Sequence, residues 1–192
     1  MVKKKPTIAL FGGSFDPPHK GHQAIIRKTA SLLDIDTLVI MPAFLNPFKK
    51  STLASPKKRL EWCKEICDIP KVTVSDFEIL QGRPVYTIQT LDFLKKEYEV
   101  KYLVIGSDNL DTIDRWKDFD KINDNITWLV FTRDNKADYS KLREYKTIEL
   151  DMPISSTDIR NGKSLEHIDN RIQKDVANII KQKETDDNQR ES

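Results

Sequence analysis

Gly12-Gly13-Ser14-Phe15-Asp16-Pro17-Pro18-His19-Lys20-Gly21-His22 is the stretch whose reading decides the arrangement of the chain. Ahead of it lies the uncharged run Thr7-Ile8-Ala9-Leu10-Phe11, which reads as a buried strand. From Gln23 onward, Ile25, Ile26, Thr29, Ala30 and Leu33 recur at helical spacing, so one helix face packs on a sheet. The stretch is therefore the turn from a first strand into the positive end of a first helix. Two glycines let backbone approach a ligand closely, and unpaired helix N–H groups favour an anion there. His19 and His22 stand three apart and share a face once the helix has begun. Taken singly, a Gly-Gly pair is a plain turn and a histidine at a helix start is a cap or a surface residue. Gly-Gly, Asp-Pro and His-x-Gly-His in order at one strand-to-helix turn favour nucleotide phosphate instead.

Further along, strands and helices alternate, which points to parallel βαβ units and a doubly wound, mostly parallel sheet in an α/β fold. Thr37-Leu38-Val39-Ile40-Met41 is the second strand, ended by Pro42, and Val72-Thr73-Val74 a short third. Between them Ser55-Pro56 caps a helix through about Cys67. Tyr86-Thr87 opens a helix running to about Tyr98. Tyr102-Leu103-Val104-Ile105 is a fourth strand, and Gly106-Ser107-Asp108-Asn109 turns at its carboxyl end. Residues 126–131 give a fifth strand, 147–150 a short last one, and 169–181 a final helix with Ile172, Val176, Ile179 and Ile180 as its stripe. Ligands of open α/β sheets sit beyond the carboxyl strand ends, so the first turn and the Gly106 turn face one crevice. The all-polar residues 183–192 read as a disordered tail, leaving residues 1–182 as a single domain with a C-terminal helical segment.

A chain of 192 residues fits one domain that buries roughly 70% of its unfolded surface. With 32% charged residues and 38% hydrophobic ones, it has the makings of a polar-surfaced, soluble globule. Its net charge of +2 argues against nucleic acid as a partner, which calls for a strongly basic domain. No apolar segment approaches the ~18 residues of a membrane span, and the lysines at positions 3–5 precede too short an apolar run for a signal peptide. Cys63 and Cys67 match no zinc or redox spacing, so they read as buried, reduced thiols in a cytoplasmic protein.

A second anchor is Ile154-Ser155-Ser156-Thr157-Asp158-Ile159-Arg160. At face value it is a helix start, because Ser and Thr cap well. Three hydroxyls with an arginine one turn later also make a polyphosphate pocket, in which hydroxyls and N–H groups donate and Arg160 offers a charged fork.

The first stretch resembles the (T/H)xGH signature of the nucleotidyltransferases, in the GG(T/S)FDPxHxGH version of the nicotinate-nucleotide adenylyltransferases. It is neither a P-loop nor a G-x-G-x-x-G fingerprint. The second anchor is similar to the ISSTxIR signature of the same family, and the resemblance extends over residues 7 to about 180. It implies a Rossmann-like fold and transfer of the adenylyl group of ATP to nicotinate mononucleotide, giving deamido-NAD and pyrophosphate, with Mg²⁺ accompanying ATP. It further implies that Gly12, Gly13, Ser14, Phe15 and Gly21 contact ATP. Ser155, Ser156 and Thr157 would hold its β- and γ-phosphates, while His19, His22 and Arg160 act in catalysis.

Gly106, Asp108 and Trp116 resemble the family's (I/L)GxDxL…W pattern, with the first two at adenosine and its sugar and Trp116 flat on the pyridine ring. Tyr86 and Thr87 resemble its (S/P)YT segment beside the pyridine substituent, and Arg133 its mononucleotide-phosphate arginine. One departure is Asn46-Pro47-Phe48-Lys49, where relatives carry Pro-Pro-His and then a basic residue. Lys49 still brings charge to a phosphate, and Phe48 stands where the histidine would. No protein metal ligand is expected. The alternatives are a nicotinamide mononucleotide preference, a phosphopantetheine adenylyltransferase, or a nucleotide-binding regulator without turnover.

Overall fold

The uncharged run at residues 7–11 becomes the first part of β1 (Thr7–Gly13), an inner strand of the computed structural model. Residues 4–32, 34–132, 137–150 and 154–190 are described. β1 pairs in parallel with β2 (Thr37–Pro42) on one side and with β4 (Glu99–Gly106) on the other. β3 (Val72–Val74), β5 (Thr127–Thr132) and β6 (Tyr145–Glu149) complete a six-stranded, all-parallel sheet in the order β3-β2-β1-β4-β5-β6. Parallel strands need crossovers, and these cover both faces of the sheet, which is why the inner strands carry near-continuous apolar runs rather than alternating ones.

Alternation along each strand divides the core in two. Ala9 and Phe11 face a layer made by α1 (Lys20–Leu32), α2 (Pro56–Ile66) and α7 (Asn170–Arg190), with Ile26, Trp62, Ile66, Ile172 and Val176 at its centre. Ile8 and Leu10 face the other layer, made by α4 (Thr87–Leu94), a 3-10 helix (Ser107–Arg115) and α5 (Phe119–Asn123). Shorter helices are α3 (Phe77–Leu80) after β3, α6 (Ser156–Arg160) after β6 and a 3-10 turn at Leu165–His167. The Ser55 hydroxyl caps α2 as its sequence predicts, accepting from the Lys58 N–H at 3.3 Å ahead of Pro56.

Three boundaries differ from the sequence reading. α1 begins at Lys20, so His22 lies inside the helix rather than ahead of it. α4 stops at Leu94 rather than near Tyr98. The expected disordered tail is helical as far as Arg190: α7 runs through residues 183–190, whose Lys, Gln and Glu are good helix formers and need no apolar face to extend a helix already docked.

Candidate active site

In this strand order the chain leaves β1 toward one edge and returns at β4 on the other side, so a crevice opens between their carboxyl ends. Gly12 and Gly13 end β1 and Gly106 ends β4. A cleft of about 430 Å³ lies there. Every residue singled out from the sequence for ligand contact lines it except Arg133, which lies outside the described residues.

At the β1 end, the turn is built from an unusual backbone. Phe15 has φ 47°, in the left-handed region. Its ring is buried and meets Phe11 edge-on at 5.3 Å and His22 at 5.0 Å, so the aromatic supports the histidine. The His19 and His22 rings touch, with centroids 3.8 Å apart. The His19 backbone N–H donates to His22 Nδ1 at 3.2 Å, which leaves the proton of a neutral His22 ring on Nε2.

The second anchor is fastened directly onto this turn. Arg160 Nη1 donates to the Asp16 carbonyl at 2.8 Å and Nη2 to Thr157 Oγ1 at 2.8 Å. Ser156 Oγ donates to the Pro17 carbonyl at 3.2 Å, and Ser155 Oγ caps α6 by accepting from the Asp158 N–H at 3.1 Å. Two segments far apart in the chain thus meet at one place, with His19, His22 and Arg160 on the same cleft.

The loop after β2 supplies Lys49 and Phe48, the latter 63% exposed where it lines the cleft. Desolvation lowers the pKa of the Lys49 ammonium, and the nearby Arg160 lowers it further. Two positive groups held close together suit a multiply charged anion. Elsewhere on the wall Tyr86 and Thr87 open α4, where the Gln89 side chain accepts from the Tyr86 N–H at 3.1 Å. Trp116 is half-buried, its ring edge-on to Trp128 with centroids 6.0 Å apart, and lines the cleft with Thr87. Asp108 stands by Gly106, with Asn109 Nδ2 donating to both the Gly106 carbonyl and Asp108 Oδ1.

The family model for cytidylyltransferase-like proteins matches residues 10–162. A relative from Sulfurovum sp. (strain NBC37-1), named "Probable nicotinate-nucleotide adenylyltransferase", is 51% identical over 183 residues, 94% of this chain and 97% of the relative.

The chain belongs to the nicotinate-nucleotide adenylyltransferase family.

A member of that name from Campylobacter jejuni subsp. jejuni serotype O:6 (strain 81116 / NCTC 11828) is 40% identical over 172 residues, covering 88% of this chain and 93% of its own length. The Plasmodium falciparum nicotinic acid mononucleotide adenylyltransferase complexed with NaAD superposes with a TM-score of 0.72 at 22% identity, covering 92% and 95% of the two chains. That likeness extends the agreement to the fold.

Two residues that organise this family member's cleft were not singled out in the sequence. Arg59 follows Lys57 and Lys58 in sequence, yet it is 0% exposed. Its guanidinium donates to four carbonyls: Ala54 at 3.3 Å, Ser14 at 2.6 Å, Ala43 at 2.8 Å and Phe44 at 2.7 Å. The Asp16 carboxylate works in parallel, accepting from the Leu53 and Ala54 N–H groups at 2.8 and 3.0 Å. Together they tie the glycine turn to the loop that carries Lys49. The signal was available, since Arg59, Trp62, Cys63 and Ile66 share one stripe of α2. Glu78 is the other. It lines the cleft, is 7% exposed, and accepts from Thr90 Oγ1 at 2.6 Å. Burial pushes its carboxyl up to about 7.

Proposed function

We propose that this chain transfers the adenylyl group of ATP to nicotinate mononucleotide, forming deamido-NAD and pyrophosphate in NAD biosynthesis. The observation that carries the reading is the convergence of the His19–His22 turn and Arg160 on one cleft, the two joined by the Arg160 to Asp16 bond. A 5′-phosphate oxygen of the mononucleotide attacks the α-phosphorus of ATP. The bond from that phosphorus to the oxygen bridging to the β-phosphorus breaks, and its electrons leave with pyrophosphate. No side-chain nucleophile is involved; in-line positioning and charge neutralisation supply the acceleration.

In this reading Gly12 and Gly13 let backbone approach the triphosphate, and Ser14, Phe15 and Gly21 shape the turn around it. His19 and His22 donate to the α-phosphate, and His22 does so through Nε2, since its Nδ1 accepts from backbone. Ser155, Ser156, Thr157 and Arg160 hold the leaving β- and γ-phosphates. Gly106 and Asp108 face the adenosine, and Lys49 and Arg133 the mononucleotide phosphate. Thr87 and Tyr86 flank the pyridine ring, which stacks on Trp116. Divalent metal accompanies ATP in nucleotidyltransferases, and we assign Mg²⁺ here as part of the substrate. In this reading the triphosphate and water would hold it, since Mg²⁺ keeps several waters and takes few protein ligands; both Asp16 oxygens already accept from backbone N–H groups. We place the reaction in the cytoplasm. Cys63 and Cys67 are buried free thiols, and no helix among the described residues is long and apolar enough to cross a membrane.

Incubation of the purified protein with ATP, Mg²⁺ and each pyridine mononucleotide, with pyrophosphate release as readout, tests this. Turnover with nicotinate mononucleotide is expected at a higher kcat/KM than with the amide. Absence of pyrophosphate with both would overturn the reading, and a higher value for the amide would overturn the substrate assignment.

A further inference from the structure

Lys117 is the neighbour of Trp116 and lines the cleft, with its ammonium 5.0 Å from the centroid of the Tyr86 ring. The lysine and arginine side chains lining the cleft among the described residues are Lys49, Lys117 and Arg160. Lys49 and Arg160 belong to the glycine-turn end: Arg160 acts on the Lys49 ammonium and is bonded to the Asp16 carbonyl. Lys117 stands instead with Tyr86 and Trp116. A cation there is not needed for the phosphates, which the first two cations serve. What distinguishes that end of the substrate is the pyridine substituent, a carboxylate in one mononucleotide and a neutral carboxamide in the other.

We propose that Lys117 selects the mononucleotide bearing a ring carboxylate, its ammonium leaving the Tyr86 face to pair with that carboxylate. The inference rests on the reading above in which the Trp116–Thr87 wall takes the pyridine ring. An exposed lysine over an aromatic face is held weakly, so little opposes its transfer to a full negative charge. A carboxamide oxygen accepts from the same ammonium without the charge, and the charged bond is the stronger. The Glu78 carboxyl, which lines the same cleft, would repel the acid if ionised. Burial holds it at about 7, so near neutrality roughly half of it is uncharged.

The test compares kcat/KM for nicotinate and nicotinamide mononucleotides at saturating ATP in the wild-type chain, Lys117→Met and Lys117→Arg. Lys117→Met is expected to lower the acid-to-amide ratio about tenfold, the usual margin of a charged over a neutral hydrogen bond. The loss should fall on KM for the acid, with KM for ATP unmoved, and Lys117→Arg should restore the ratio to within about twofold. An unchanged ratio, or an equal loss with both mononucleotides, overturns the proposal. Lys117→Gln carries the same expectation if Lys117→Met does not accumulate as folded protein. A wild-type chain inactive on both mononucleotides overturns the adenylyltransferase reading itself. Wild-type activity with a ratio insensitive to charge at position 117 removes Lys117 alone.

Discussion

The His19 ring lies against Gly21 so closely that a Cβ on Gly21 would stand 2.9 Å from His19 Nδ1 and 3.0 Å from Cε1. Gly21 has an ordinary helical backbone, so the glycine is required by the imidazole and not by the turn. In Gly21→Ala the better helix propensity of alanine should offset part of the overpacking cost against the buried ring, so the loss of stability should be small. The substitution should displace the buried His19 ring and lower kcat by about ten- to a hundredfold, the range that small misplacements in an active site produce. Thermal unfolding together with steady-state kinetics checks both halves; wild-type turnover in the variant would show that the ring position is immaterial.

His22→Ala removes the donor proposed for the α-phosphate and uncovers the Phe15 ring against which the imidazole packs. The expected loss in kcat is roughly 10²–10³, as for loss of one donor to a developing oxyanion. Near wild-type kcat in the purified variant would refute that role.

Arg59→Lys keeps a positive charge and abandons a fork. A lysine ammonium has three donors at one point and cannot satisfy carbonyls at Ser14, Ala43, Phe44 and Ala54 together. Leaving one or two of these buried acceptors unpaired, at about 1–3 kcal/mol each, costs about 3 kcal/mol. For a chain of this size the unfolding midpoint should fall by roughly 5–10 °C. KM for ATP should rise as the two loops lose their tie. A midpoint within about a degree of wild type would argue that the network is redundant.

Glu78 makes stability fall as pH rises. Its carboxyl binds protons more tightly folded, at about 7, than unfolded, near the ordinary 4.5. Between those values the native state holds more protons than the unfolded one, so each step up in pH favours unfolding. The accumulated loss by about pH 8 is on the order of 3 kcal/mol. Glu78→Gln keeps an acceptor for the Thr90 hydroxyl and removes the charge, so its denaturant midpoint should be flatter from about pH 5 to about pH 8. Parallel pH profiles for the two proteins would contradict this.

Trp116→Ala should raise KM for the mononucleotide by about five- to a hundredfold, in line with the ~1–3 kcal/mol that aromatic stacking contributes to nucleic-acid bases. KM for ATP should move little. Because Trp116 also meets Trp128 edge-on, Trp116→Phe serves as the companion that keeps packing and a stacking face. An unchanged KM for the mononucleotide in Trp116→Ala would remove the stacking role.

The alternation of uncharged runs with amphipathic segments made the parallel sheet legible, because strands buried on both faces are apolar along most of their length. The glycine turn and the hydroxyl-rich segment were legible because their chemistry is local in sequence. Residues acting through tertiary contact were not. Arg59's place on the apolar stripe of α2 was legible, but its role was not, because only the fold shows four carbonyls converging on it. Glu78 lies in a four-residue helix with no periodicity to read, and its partner Thr90 is on another helix. The 3-10 helix Ser107–Arg115 escaped for a related reason: its apolar residues Leu110 and Ile113 stand three apart, within a run of polar neighbours that reads as loop.

Ser156 and Arg160 reach back to the carbonyls of Pro17 and Asp16. A nascent chain still short of residue 154 therefore carries the imidazoles without the guanidinium that shares their cleft. A chain ended upstream of that segment lacks Arg160 and, with it, the Ile172 and Val176 side of the core, so the proposed phosphate grip and the fold that carries it are completed by the same late residues.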